Sequence, residues 1–311
     1  MKIKKIAILT SGGDAPGMNS AIFGAYCACR DNNIKLYGVI GGFNGLIDNN
    51  FVEIKFDMLD GRINRGGSII KSSRSPRFLK DTHFKKAIKN IEDNKIDALI
   101  VVGGDGTIKG ATKLRNYGVN IITLPGTIDN DLNFTFTIGY DTATNNIVNA
   151  VDNITDCISS FGYGAVVKIM GRECPDLIDS VSAALHTNFV VKTKDLDINK
   201  LVRDIKSSMD GKHLSPVVLV LESCIDCTEL SNILQEKTKM QWRPHILGYI
   251  QRGGTPSAFD RKYGYNAGQF AVNSIVRGES GFTIGMDGNC LVKKSLEDTI
   301  KISWQPILIV I

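Results

Sequence analysis

The chain has 311 residues, 43% of them hydrophobic and 22% charged, with a formal net charge of +5. That is an ordinary globular composition, long enough for two α/β lobes. No apolar run approaches the roughly 18 residues of a membrane span, and the mild, interleaved charge excess contains no basic run with aromatics of the kind that grips nucleic acid.

The opening Met1-Lys2-Ile3-Lys4-Lys5-Ile6 leads straight into a predicted strand at Lys5 to Leu9 and leaves no room for a secretion signal. The strand runs into Thr10-Ser11-Gly12-Gly13-Asp14-Ala15-Pro16-Gly17-Met18-Asn19, then a helical pattern from Ser20 to Arg30. Strand, glycine loop and helix are how α/β proteins form an anion site, because small residues admit the phosphate to free N–H groups at the helix start. No Gly-Lys-Ser/Thr follows, so this is not a Walker loop, and a tight turn needing glycine explains it as well.

Leu36 to Ile40 reads as a second strand, ending in Gly41-Gly42-Phe43-Asn44-Gly45. Three glycines around an aromatic suggest a loop that offers its ring to a nucleobase or folds it back on the core. Arg62 to Ser68 and Ser72 to Arg77 are arginine- and glycine-rich, and offer donors to phosphate oxygens or to solvent. After a helical stretch at Phe84 to Asn94, Asp97 to Val102 is a nearly all-apolar strand suited to the middle of a parallel sheet. It ends in Gly103-Gly104-Asp105-Gly106-Thr107 and a helix from Ile108 to Asn116. Here an acid joins the glycines, in a pattern that suits a phosphate chain with Mg²⁺.

The apolar run Val119 to Leu124 delivers Pro125-Gly126-Thr127-Ile128-Asp129-Asn130-Asp131. Two carboxylates two residues apart at a strand's carboxyl end are not core filling. They hold a metal or take a proton. Three strands thus feed phosphate-type or acidic chemistry to one edge.

Alternation continues to the end. Helical segments are expected at Asp141 to Ser160, Leu177 to Leu185, Asn199 to Met209, Thr228 to Lys237 and Arg261 to Arg277. Strands are expected at Ala165 to Ile169, Phe189 to Val191, Pro216 to Leu221 and Pro244 to Gly248. The expected architecture is α/β, two doubly wound, Rossmann-like, three-layer lobes. Residues 1–139 with 252–311 form the first lobe and 140–251 the second. Arg172, Glu222 and Arg252 each follow a strand end, as one wall of a cleft would, and arginines suit a phosphorylated substrate.

The seven cysteines are odd in number and at no framework spacing, and Cys224-Ile225-Asp226-Cys227 has no second pair to complete a zinc site. Free thiols in a reducing cytosol are expected. The closing Ile307 to Ile311 is expected to be a terminal strand or docked tail.

The motifs at Thr10 to Asn19, Ile63 to Gly67, Gly103 to Thr107, Pro125 to Asp131, Met170 to Arg172 and Leu247 to Gly254 resemble those of bacterial-type 6-phosphofructokinases. The resemblance spans about residues 3 to 290. It implies transfer of the γ-phosphoryl of ATP to the 1-hydroxyl of fructose 6-phosphate, with Mg²⁺, in a homotetramer whose sugar sites are shared between subunits. By position, Asp129 would be the general base, with Thr127 and Asp131 beside it, and Asp105 would hold Mg²⁺. Gly13, Phe43, Arg74, Ser75 and Gly104 to Thr107 (Gly104, Asp105, Gly106, Thr107) would bind ATP. Arg172 would stabilise charge on the transferred group. Met170, Gly171, Glu222, Arg243, Tyr249, Arg252 and Tyr163 occupy the sugar-phosphate positions.

The resemblance also bears on donor and regulation. Pyrophosphate-using relatives typically carry an aspartate at Gly106 and a lysine at Gly126, so two glycines imply ATP. Tyr163 stands where the family has a second phosphate-gripping arginine, and Tyr249 where it has a histidine. Weaker binding of fructose 6-phosphate or a changed sugar specificity is therefore expected. Phe23, Cys27, Asn50, Thr155 and Asn188 replace the charged effector residues, which implies no response to ADP or phosphoenolpyruvate there. The loop after Asp131 is one residue shorter than usual. Two other readings remain: a nucleotide-binding regulatory or structural subunit, and a different kinase sharing the Gly-Gly-Asp-Gly-Thr turn.

Overall fold

Strand and helix alternate along the chain in a computed structural model that describes residues 3–133, 135–209 and 215–300. The apolar closing segment lies outside the described residues. The order is β1 (Lys5–Thr10), α1 (Met18–Asp31), β2 (Lys35–Val39), α2 (Gly42–Ile47), β3 (Phe51–Glu53), α3 (Phe56–Leu59), α4 (Asp81–Asp93), β4 (Ala98–Gly103), α5 (Asp105–Asn116) and β5 (Ile121–Pro125). Then come α6 (Tyr140–Phe161), β6 (Gly164–Ile169), α7 (Asp176–Leu185), β7 (Val190–Val191), α8 (Ile198–Met209), β8 (Val217–Leu221), α9 (Cys227–Thr238) and β9 (Trp242–Ile246). The chain closes with α10 (Ala258–Val276), β10 (Phe282–Asp287), β11 (Cys290–Ser295) and α11 (Leu296–Thr299). Short 3₁₀ turns cover Pro76–Leu79 and Gly248–Arg252.

Contacts divide the chain into two units: Met1–Thr142 with Arg252–Ile311, and Ala143–Gln251. Among the described residues, the first holds a seven-stranded sheet of order β11-β10-β5-β4-β1-β2-β3. Its middle is parallel, with Ile8 opposite Ile100 on one side and Gly38 on the other. Only the outer pairs β2–β3 and β10–β11 are antiparallel. Alternate strand residues sort to two faces. Ala7, Leu9, Leu99, Val101 and Ile121 meet α2, α4 and α5 in one apolar cluster, while α1 and α10 pack on each other and against the sheet strands. The result is three layers.

The second unit has a parallel four-stranded sheet, β7-β8-β6-β9. Val166, Val218 and Val220 share a core with Leu201, Val202 and Ile205 of α8 and Leu230 and Leu234 of α9. The Cys224–Cys227 pair belongs to this scaffold. Asp226 caps α9 by accepting from the N–H groups of Thr228 and Glu229. Cys227 is fully buried, with its Sγ 3.0 Å from Val166 O. Burial pushes both thiols up, away from a reactive thiolate. None of the seven cysteines is joined in a disulfide among the described residues.

Of the two places expected for the Phe43 ring, the second is found: Phe43 is folded back on the core at 4% exposure, and Gly42–Ile47 is a helix where a loop was expected. The Phe43 ring stacks on Phe78 at 4.2 Å, so tertiary packing overrides the glycine signal.

A buried carboxylate organises the first unit. Asp260, in the first turn of α10, is fully buried. It accepts from the N–H of Gly139 at 2.8 Å, the N–H of Thr142 at 2.8 Å and the Thr142 hydroxyl at 2.5 Å. Gly139 has no side chain to cap α6, so Asp260 caps it from another helix, meeting the two N–H groups that a capping box would meet locally. Thr142 Oγ1 in turn accepts from Ser257 N–H at 2.9 Å. Burial pushes the carboxyl from its ordinary 3.8 to about 6, against the pull of these donors. A carboxyl raised on folding binds more protons in the folded state, so its contribution is fully present below its ordinary value and lost as pH rises through about 6. Asp260→Asn should cost about 2–4 kcal/mol in urea unfolding, because an amide nitrogen would face donors. The advantage of wild type over the variant should be larger at pH 4 than at pH 7.

Candidate active site

In the first unit, β5, β4 and β1 are neighbours, and their carboxyl ends carry the three loops singled out by the sequence. The strand order reverses at β1, the place where open α/β sheets collect ligands. The loops are bonded to one another. Ser11 N–H donates to Val102 O at 3.0 Å, and the Thr107 hydroxyl donates to Ser11 O at 3.1 Å. Gly126 N–H donates to Gly103 O at 3.0 Å. Thr107, expected to meet nucleotide, therefore spends its hydroxyl on the β1 loop.

Asp105 is the first residue of α5, after the extended Gly104. An acid suits the positive end of a helix. Its Oδ2 pairs with Lys109 Nζ at 2.7 Å. Its Oδ1 is buried and has no hydrogen-bond partner among the described residues. No group of three or more His, Cys, Asp or Glu suited to a metal occurs among the described residues. One carboxylate oxygen left over fits Mg²⁺, which takes few protein ligands and completes its shell with water and phosphate. Next to it, a Cβ at Gly106 would meet nothing within 4 Å.

Asp129 is 6% exposed. Its N–H donates to Thr127 Oγ1 at 3.2 Å. The return limb of the loop braces this turn: the Thr137 hydroxyl donates to Thr127 O at 2.7 Å, and Thr137 N–H donates to Asn130 Oδ1 at 3.1 Å. Asn130 itself takes a left-handed φ of 50°. Further along, Asn133 bonds to Thr299 O and Asp298 O, and Thr135 Oγ1 accepts from Met286 N–H. Asp131 follows on the same loop.

Two asparagines without an assigned role support the remaining loops. Asn19, 2% exposed, donates to Arg62 O and Arg65 O and accepts from Ile69 N–H. Asn44 donates to Ser73 Oγ and Arg74 O and accepts from the Ser75 hydroxyl. Only a bridging amide, with donors and an acceptor on one tip, does this. Their places beside glycine-rich stretches were the available signal. The Phe43 ring, expected beside a nucleotide base, is closed into the core. Arg252 lies against the loop after β1. Its guanidinium occupies the space where a Gly13 Cβ would stand, donates to Asp14 O at 3.0 Å and pairs with Asp14 Oδ1 at 3.2 Å.

In the second unit, Met170-Gly171-Arg172 follows β6. Glu222 accepts from the N–H groups of Gly171 and Arg172, at 3.2 and 2.8 Å. Gln251, 2% exposed, accepts from Met170 N–H at 2.8 Å. Arg172 is held at φ 54°, a left-handed conformation unusual for a side chain of its size. Arg243 lies over the Tyr163 ring, 5.3 Å from its centroid. Tyr249 is 79% exposed in the Gly248–Arg252 turn.

Residues 5–275 match the family model described as phosphofructokinase. The chain belongs to the phosphofructokinase family. Among its relatives, the ATP-dependent 6-phosphofructokinase of Serratia proteamaculans (strain 568) is 37% identical over 307 residues, covering 98% of this chain and 96% of that protein. That of Clostridium botulinum (strain Eklund 17B / Type B) is 38% identical over 303 residues, covering 96% and 95%. Among solved structures, Pichia pastoris phosphofructokinase in the T-state superposes with a TM-score of 0.88 at 30% identity. The match covers 96% of this chain but 36% of the longer yeast chain. A pyrophosphate-dependent phosphofructokinase from Marinobacter aquaeolei shares the fold, with a TM-score of 0.85 at 18% identity over 96% of this chain and 84% of that one. The two-unit α/β architecture is that of the phosphofructokinase family.

The brace on the Asp129 turn is testable without a substrate. Thr137→Val keeps the shape and removes the hydroxyl, and should cost about 1–3 kcal/mol in urea unfolding. Native-state hydrogen exchange should quicken at the Asp129 and Thr137 amides more than at Val101 in β4.

Proposed function

We propose that this chain is an ATP-dependent 6-phosphofructokinase, transferring the γ-phosphoryl of ATP to the 1-hydroxyl of fructose 6-phosphate. The observation that carries the reading is the pairing of two differently housed acids at adjacent strand ends. Asp105 follows β4 with a buried oxygen left over, and Asp129 follows β5, buried in a braced turn. That division of labour suits one metal ligand and one proton acceptor. The names of the relatives give the reaction.

In this reading the sugar hydroxyl oxygen forms a bond to the γ-phosphorus as the bond to ADP breaks, and the hydroxyl proton passes to Asp129. Thr127 and Thr137 hold that carboxylate's turn in place, so little reorganisation accompanies the step. Gly13, Arg74 and the Gly104 to Thr107 turn are assigned to ATP, with backbone N–H groups at the start of α5 facing phosphate oxygens. Asp105 would hold Mg²⁺, which supplies charge neutralisation on the phosphates. Arg172 is assigned to the charge of the transferred group, its backbone fixed by Glu222. Met170, Gly171, Arg243 and Arg252 are assigned to the sugar phosphate. A homotetramer with shared sugar sites and a cytoplasmic location complete the reading. No helix among the described residues is long and apolar enough to cross a membrane.

Gly106 and Gly126 carry the donor choice. Open space at Gly106 leaves room for nucleotide, and an aspartate there would put a negative charge beside it.

Two outcomes are expected. In a coupled assay with ATP, Mg²⁺ and fructose 6-phosphate, Asp129→Asn should lower kcat by roughly 10²–10⁴ with KM values little changed, the range for losing a general base. Turnover that survives in this variant would overturn the assignment. Gly106→Asp should keep the wild-type melting temperature, since an acid in the first turn of α5 is favourable. Its KM for ATP should rise at least about tenfold, the cost of roughly 1.4 kcal/mol of repulsion.

A further inference from the structure

Tyr163 stands where a family arginine is expected, and the surrounding geometry gives it work of its own. Helix α6 ends at Phe161, Gly162 turns the chain at φ 67°, and Tyr163 N–H donates back to Ile158 O at 3.1 Å before β6 begins. The rings of Phe161 and Tyr163 stack at 5.4 Å with 23° between their planes. Phe161 is 68% exposed, so core burial does not explain the pair. On the edge strand β9, Arg243 is in register with Ala165, two residues past Tyr163, and its guanidinium lies over the Tyr163 ring.

We propose that Tyr163 is a positioning residue that holds the Arg243 guanidinium by its face and presents its in-plane N–H donors to a phosphomonoester; the proposal rests on the sugar-phosphate reading above. A guanidinium is flat, and its five N–H bonds lie in its plane. Contact through the face leaves the donors. It also restricts a long side chain before ligand arrives, which removes part of the ordering cost of binding. The arginines in ion pairs differ. Arg30, Arg77, Arg115, Arg252 and Arg277 each spend donors on a carboxylate. Among the described residues, Arg243 has no carboxylate within ion-pair distance and keeps its fork for a ligand. The Phe161–Tyr163–Arg243 row trades a second charge for a better-placed first one.

The test is calorimetric titration of fructose 6-phosphate into the full chain without nucleotide, for wild type, Tyr163→Ala, Tyr163→Phe, Arg243→Ala and the Tyr163→Ala/Arg243→Ala double variant. Tyr163→Ala should weaken binding roughly two- to fivefold, the size of an exposed cation–π contact. Tyr163→Phe should bind as wild type, because the ring and not the hydroxyl does the holding. Tyr163→Ala should add nothing in the Arg243→Ala background. Unchanged binding in Tyr163→Ala, equal losses in the Phe and Ala variants, or an undiminished Tyr163 effect without Arg243 would each overturn the proposal. A coupled assay on wild type separates the two readings. Tyr163-dependent binding without turnover defeats the kinase reading and leaves the Tyr163–Arg243 contact, while turnover with Tyr163-independent binding does the reverse.

Discussion

The first unit depends on one buried carboxylate. Asp260 receives three donors from Gly139 and Thr142, and Thr142 receives one from Ser257. The chain leaves this unit at Thr142 and re-enters it at Arg252, so the clamp ties departing and returning segments together within the unit. It also closes the far end of the loop that begins at Gly126, because Ile138 N–H returns to Pro125 O at 2.8 Å just before Gly139. A buried charge is costly alone. Here a helix start with no side chain to cap it supplies the donors that make the charge tolerable, and each defect repairs the other.

From that anchor, rigidity passes to the chemistry by short bonds. Thr137 grips Thr127 and Asn130, and Thr127 receives the amide of Asp129. Tyr263, fully buried three residues after Asp260, donates its hydroxyl to Phe136 O at 3.1 Å. The acid at the centre of the site is thus placed by helix α10 and strand β10 as much as by the strand that delivers it. In the second unit the same logic recurs on a smaller scale, with Glu222 and Gln251 fixing the backbone of Met170 to Arg172.

The central strands were legible because burial on both faces leaves an uninterrupted apolar run, as in Ala98 to Gly103. The glycine turns were legible because a strand-to-helix turn that other loops approach closely needs small residues in a short span. The β10–β11 hairpin escaped notice: Cys290 to Ser295 is an exposed edge strand with two lysines, and edge protection erases the apolar signal of a strand. Helix α2 is hidden in the sequence because three of its residues or flanks are glycine, while the stacking of Phe43 on Phe78 involves a residue 35 positions away in sequence. Asp260 was invisible for the same reason, its partners lying 118 and 121 positions off. Tyr163 was read as a lost charge, since a single position in sequence does not reveal that Arg243 lies over it.

The two glycines assigned to donor choice differ in a way that orders history. Gly106 borders open space, whereas a Cβ at Gly126 would stand 2.8 Å from Val102 Cγ1 and 3.1 Å from Met18 Cε. A descendant of this chain could take on an acid at 106 in one step, with its fold untouched. A longer residue at 126 would first need a smaller neighbour at 102. Any evolutionary drift away from nucleotide is therefore directional, with the first change costing the fold nothing and the second waiting on the core.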